Sequence, residues 1–245
     1  MGTFDLITFD SAQALAQAAA SRWLKELEPA DDTAERCCVA LSGGRIARQF
    51  FLAVRERDRA RSLLDGRVHF FWGDERCVPP DDPESNLRLA QECLLGPLNI
   101  PPAQRHRIRG EALPEEAAAE AEAELRRFAP AAGGGQPALD LVFLGMGEEG
   151  HVASLFPGEP RAIAESPAVY RAVAAPKAPP RRITLGYSAI GAARQVWVLA
   201  SGPGKAPALR QSLDPAGDTP LARVLKLRPH TRIFTDIRLA EWSGT

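Results

Sequence analysis

Short, nearly continuous apolar runs recur along the chain, each broken off by glycine, serine or charged residues. Cys37-Cys38-Val39-Ala40-Leu41, Val68-His69-Phe70-Phe71-Trp72, the stretch from Leu139 to Leu144, and Gln195 to Ala200 all have this form. Runs without polar alternation mark strands covered on both faces, as in a parallel sheet. A short strand ahead of Ser11, Val169 to Ala174, and Arg232 to Thr235 are further candidates. Between the runs, apolar positions fall at helical spacing. Ser11 is suited to cap a helix through Leu27 whose apolar side is Leu15, Ala18, Ala19, Trp23 and Leu24, ended by Pro29 and Asp31-Asp32. Further helices are expected from about Arg45 to Arg59, after Ser85 until Gly96-Pro97, from Pro114 to Phe128, and through Leu213. The Pro114 helix has acids first and bases last, which follows the helix dipole and marks it as scaffold. Strands alternating with helices predict an α/β fold of three αβα layers, doubly wound about a mostly parallel sheet. Ala131 to Pro137 reads as a flexible, glycine-rich joint. Strands of the same buried character lie on both sides of it, so residues 1–245 are expected to form a single domain.

Composition narrows the partners. The 245 residues suffice for a sizeable core, and Lys+Arg 30 against Asp+Glu 31 leave a net charge of −1. That balance argues against nucleic acid or an anionic membrane surface as the partner. No apolar run approaches the roughly 20 residues that span a bilayer, and MGTFDLITFD has neither a basic start nor an apolar signal core. The expectation is a cytoplasmic protein, a monomer or small homo-oligomer, acting on a small molecule. Cys37, Cys38, Cys77 and Cys93 show neither C-x-x-C nor zinc-site spacing, so they are expected to be reduced and mostly structural. Nucleophile-elbow, H-E-x-x-H and Walker sequences are absent.

The chemistry gathers just after the apolar runs. Gly145, Gly147 and Gly150 break the Leu139 run and present Glu148, Glu149 and His151. The string GMGEEG satisfies G-x-G-x-x-G, but two adjacent carboxylates oppose a pyrophosphate and Phe156-Pro157-Gly158 cuts the following helix short. Proton transfer suits the stretch better, with His151 as general base and Glu149 fixing its tautomer, the other reading being a turn histidine satisfied by backbone. Ser42-Gly43-Gly44 before the Arg45 helix makes an anion cradle of backbone N–H groups, or an ordinary βα turn. Asp74, Glu75 and Arg76 follow the Val68 strand, either as a solvated triplet or as site residues held by the proline-stiffened loop behind them. Asn86, in the first turn after Ser85, reaches the same crevice or the surface. A proline-fixed loop from Pro176 to Leu185 offers Lys177, Arg181 and Arg182, and Lys205 stands at a glycine-rich corner suited to phosphate. In a parallel sheet these corners share one edge. Together they fit a phosphorylated small substrate on which a proton is moved or a water activated.

SGG after a strand, WGDERCVPPDDPESN, LGMGEEGHVASLFPG, APKAPPRRITL and GPGKAPAL, in this order along nearly the whole chain, resemble the 6-phosphogluconolactonases. The resemblance implies a fold similar to the glucosamine-6-phosphate deaminase and ribose-5-phosphate isomerase type. It implies hydrolysis of 6-phospho-D-glucono-1,5-lactone in the oxidative pentose phosphate pathway, without metal or cofactor. The deaminases lack the WGDER and SLFPG strings. By resemblance His151 is the catalytic base, and Arg76 stabilises the lactone oxygen or holds the phosphate. Arg182, Lys205, Ser42, Gly43 and Gly44 match phosphate positions. Two departures stand out. Glu149 replaces the family's usual aspartate, and Arg45-Ile46-Ala47 replaces the hydroxyl-bearing residues common after SGG.

Overall fold

The computed structural model describes residues 3–28, 36–59 and 62–239. In chain order the elements are β1 (Thr3–Thr8), α1 (Ala12–Leu27), β2 (Cys37–Leu41), α2 (Arg45–Asp58), β3 (Val68–Trp72), β4 (Asp74–Arg76), α3 (Asn86–Ala90), α4 (Pro114–Phe128) and β5 (Leu141–Gly145). There follow α5 (Arg161–Ala164), β6 (Tyr170–Ala174), β7 (Arg181–Leu185), α6 (Tyr187–Ala192), β8 (Gln195–Ala200), α7 (Ala206–Leu213), α8 (Pro220–Leu227) and β9 (His230–Thr235). Ser11 caps α1 as expected, its side chain accepting from the Ala14 amide. The proposed stop at Pro29 and Asp31-Asp32 lies outside the described residues.

Six strands form one parallel sheet in the order β1-β9-β8-β5-β2-β3. The four strong apolar runs are its buried strands, and Phe143 of β5 sits at their centre. Its ring lies 5.2 Å from Trp23 of α1, 4.6 Å from Phe50 of α2 and 5.8 Å from Trp197 of β8. Such aromatic packing gives each helix one seat on the sheet. Phe128 of α4 meets β3 through His106, whose ring is 4.1 Å from Phe128 and 4.5 Å from Phe71. His106 also joins His69 Nδ1 through Nε2 and Glu124 Oε1 through Nδ1, both at 2.8 Å. Burial, reinforced by His106, lowers His69 to about 4; burial lowers His106 as well.

The sheet forks at β2. This strand pairs in parallel with β3 on one side and β5 on the other, so the chain reverses its direction of travel across the sheet there. A crevice opens beyond the carboxyl ends of strands at such a switch point.

A second sheet was not expected from the sequence. Gly73 donates to Leu41 O and accepts from the Leu185 amide, both at 2.8 Å, and the chain then leaves β3 to enter an antiparallel sheet, β4-β7-β6. The acidic-basic triplet Asp74-Glu75-Arg76 is thus a strand rather than a loop, and Arg181–Leu185 is its partner rather than part of the proline loop. A three-residue strand made only of charged side chains has no apolar run to reveal it. The helix after Ser85 also differs from expectation. It turns π-helical over Gln91–Leu95, with the Gly96 amide donating to Gln91 O at 3.0 Å. The joint at Ala131 to Pro137 is a closed turn in which the Ala132 amide donates to Gln136 O at 2.7 Å.

Candidate active site

The fork between β2 and β5 is stitched by Ser42, whose hydroxyl accepts from the Gly145 amide at 3.1 Å. Gly44 follows with φ 90°, a left-handed conformation that glycine adopts without strain. It begins α2 with no side-chain cap, leaving the first-turn N–H groups free for an anion. Arg45 is exposed beside them. Gly43 is there for a different reason: a Cβ would lie 1.8 Å from Asn86 Oδ1. The missing side chain lets Asn86 sit buried against the loop, where its Nδ2 donates to the Asp74 carbonyl at 2.9 Å.

Beyond β5 the chain makes a tight turn that carries the histidine. The Gly147 amide donates to His151 O at 2.9 Å and Gly150 adopts φ 79°. His151 packs on Phe156, ring centroids 4.6 Å apart. Burial pushes its imidazole below the usual range, against the opposing pull of Glu149, so it is neutral at pH 7. Glu149 Oε2 lies 3.1 Å from His151 Nδ1. The approach is off the N–H axis, and Nδ1 has no aligned hydrogen bond among the described residues. The other side of the carboxylate meets Lys177 Nζ, 2.8 Å from Oε1 and 3.0 Å from Oε2. Burial alone raises the Glu149 carboxyl, but Lys177, then its own backbone amide and His151 outweigh it and bring the group down to about 2.

The second sheet supplies the cations. Arg76 of β4 stands directly opposite Arg182 of β7. Like charges in such cross-strand positions repel, and Arg76 turns part of its charge to Glu84. Arg182 is 5% exposed, donates through Nε to Pro179 O at 2.9 Å, and is pushed down by burial and then by Arg76. Its guanidinium lies 5.7 Å from the Phe156 ring on which His151 also packs. Arg76 donates to Glu84 O at 2.5 Å, with Glu84 Oε2 at 3.4 Å, while its buried Nε has no partner among the described residues. Asp74 is buried, accepting from Ser154 Oγ at 2.6 Å and from Asn86 Nδ2 at 3.3 Å. Lys205 ends a single helical turn after β8, and burial, then Arg45, pushes its ammonium down. Among the described residues, Arg45, Arg182 and Lys205 have no carboxylate within ion-pair reach.

One cleft of about 350 Å³ collects these groups. Ser42, Gly43, Gly44, Arg45, Asp74 and Asn86 line it together with Arg76, His151, Arg182 and Lys205. Glu149 does not line it and sits behind His151. Glu75, the other member of the triplet, is structural: its carboxylate accepts from the Asn86 and Leu87 amides at 2.8 Å and holds the start of α3. A larger groove of about 1020 Å³, lined by Gln13, Gln17, Gln49 and Glu56, gathers no comparable chemistry. No group of His, Cys, Asp and Glu among the described residues is arranged to hold a metal ion.

The family model for glucosamine-6-phosphate isomerases/6-phosphogluconolactonase matches residues 10–233. This chain belongs to that family. Within it, the 6-phosphogluconolactonase of Mycobacterium tuberculosis is 38% identical over 213 residues, 84% of each chain. The crystal structure of a 6-phosphogluconolactonase from Shewanella baltica superposes with a TM-score of 0.79 at 29% identity, covering 97% of this chain and 98% of that one. A monomeric glucosamine-6-phosphate deaminase, 18% identical with a TM-score of 0.78 and covering 97% and 98%, shares the fold. The expected three-layer architecture of the family is therefore present. Two polar side chains at the site had been given no role from sequence. Ser154 bridges Asp74 and Arg182, with Arg182 Nη1 at 3.5 Å, and Lys177 braces Glu149. A serine in a buried SLF string carries no spacing signal; Lys177 stood in a loop already noted for its cations.

Proposed function

We propose that this chain hydrolyses 6-phospho-D-glucono-1,5-lactone to 6-phosphogluconate as a cytoplasmic enzyme of the oxidative pentose phosphate pathway. The observation that carries the reading is a half-buried imidazole in one cleft with Arg45, Arg182 and Lys205, cations from three separate elements that have no ion-pair partner among the described residues. In this reading His151 Nε2 takes a proton from a water as the oxygen attacks the lactone carbonyl carbon. General-base assistance of this kind contributes roughly 10²–10⁴ in rate. Glu149, on the Nδ1 side, stabilises the imidazolium that forms. The tetrahedral intermediate collapses with cleavage of the ring C–O bond, and the imidazolium returns its proton to the departing ring oxygen. Arg76 is assigned the negative charge that develops on the carbonyl oxygen. Lys205, Arg182 and the open first turn of α2 are assigned the phosphate, with Arg45 adding charge where hydroxyls are common in the family. Asp74 and Asn86 hold the walls of the cleft, through each other and through Ser154.

The test is acid release from fresh lactone, corrected for its spontaneous hydrolysis, beside ammonia release from glucosamine 6-phosphate. The wild type is expected to be active in the first and not in the second. His151→Ala is expected to lose most of the turnover and keep the melting temperature. Near-normal hydrolysis by that variant would remove His151 as the base.

A further inference from the structure

Lys177 stands near the site without lining the cleft, and half of its side chain is in solvent (51% exposed). It is therefore poorly suited to hold substrate. Its ammonium is nonetheless committed to both oxygens of Glu149. Glu149 has one more rotatable bond than an aspartate and is partly exposed, and besides its own backbone amide Lys177 is the strongest hold on its carboxylate. Its approach to His151 is off the N–H axis, whereas Lys177 meets it at two close distances. The ammonium, more than the imidazole, defines where this carboxylate rests.

The backbone beneath Lys177 is fixed in turn. Pro176, Pro179 and Pro180 restrict the loop, and the Ala175 amide closes it by donating to Pro180 O at 2.6 Å. Arg182 donates to Pro179 O at 2.9 Å and approaches Lys177 O and Ala178 O, each at 3.5 Å. The same five-residue loop thus steadies the carboxylate behind the base and the guanidinium beside it.

We propose that Lys177 is a positioning residue: by gripping the Glu149 carboxylate from the loop that also fixes Arg182, it holds the acid partner of His151 in register for proton transfer. The proposal rests on the hydrolytic reading of the site. Lys177 works through Glu149 and touches no substrate. Its partly exposed ion pair contributes little to folding, so the effect of its loss falls on turnover.

A double-mutant cycle tests this on the full chain, with kcat and KM for lactone hydrolysis and the melting temperature measured for Lys177→Met, Lys177→Arg, Glu149→Gln and the Lys177→Met/Glu149→Gln pair. Lys177→Met is expected to lower kcat about tenfold with KM and melting temperature unchanged, and Lys177→Arg to restore most of it. With Glu149→Gln already present, adding Lys177→Met is expected to change kcat by less than about twofold, because the residue it acts through is gone. Full additivity of the two losses, or a change confined to KM, overturns the proposal in favour of a direct role toward substrate. An active wild type with an unimpaired Lys177→Met overturns it alone. A wild type that does not accelerate lactone hydrolysis sinks this proposal and the hydrolytic reading together.

Discussion

Gly147→Ala puts the geometry of the base to a direct test. A Cβ built at Gly147 lies 2.0 Å from both Cε1 and Nδ1 of His151. Carbon atoms in contact settle at roughly 3.5–4.0 Å, so the ring must retreat by about 1.5 Å or more. The backbone gives no other reason for glycine here, because Gly147 is not among the residues with positive φ. The Gly147 amide bond to His151 O survives the change, so the turn itself stays closed. The methyl group therefore acts on the imidazole and its Glu149 partner. A misplacement of about 1 Å costs on the order of 10²-fold in rate, which corresponds to roughly 2.7 kcal/mol of barrier. The expected result is a kcat about 10²-fold lower, with a cooperative unfolding transition close to that of the wild type. Steady-state hydrolysis of fresh lactone, with the spontaneous rate subtracted, and a thermal melt suffice. A kcat within a factor of a few of the wild type would show that the imidazole can act from a displaced position, and would refute the argument that this turn is shaped for it.

Other expectations follow from the same geometry. Lys205→Ala and Arg182→Ala should raise KM by roughly tenfold or more while sparing unphosphorylated gluconolactone, and equal losses on both substrates would contradict a phosphate role. Because burial lowers His151, the acid limb of kcat/KM should lie below the ordinary imidazole range. Glu149→Gln removes an anion that favours the imidazolium, so the limb should move to still lower pH as the rate falls; an unmoved limb would detach Glu149 from the base. Gly43→Ala should drive Asn86 from Asp74 and lower the melting temperature, since the added Cβ would lie 1.8 Å from Asn86 Oδ1. His69 is held neutral in the fold, so its contribution to stability is complete above pH 6.5 and is lost as pH falls toward about 4. A urea midpoint that stays constant across that window would contradict the buried relay with His106 and Glu124.

The main sheet was legible because β2, β3, β5 and β8 are covered on both faces and therefore write uninterrupted apolar runs. The cleft was legible because a parallel sheet puts the carboxyl ends of such strands on one edge, which is where Ser42, His151 and Lys205 are found. The second sheet was not. Arg182-Ile183-Thr184-Leu185 does alternate polar and apolar, but only over four residues directly behind a proline-rich loop, and β4 consists of three charged residues. Asn86 was ambiguous for a related reason: an amide reads as surface unless something nearby makes room for it, and the room comes from the bare backbone of Gly43, 43 positions earlier. Asp74 and Glu75 likewise gain their burial from partners distant in the chain, Ser154 and the start of α3.

Gly73 hands one strand of chain from a rigid frame to a small ribbon, and the two halves answer to different demands. Residues before it fill the interior; after it, Asp74 and Glu75 turn inward to hold Asn86 and the start of α3, Arg76 lines the cleft, and three rungs of pairing to β7 anchor them. A change at Arg76 or Arg182 therefore alters the charge of the cleft without touching the apolar contacts of the frame that carries the imidazole. Such a handover keeps the residues that set the charge of the cleft apart from the buried core that sets the fold.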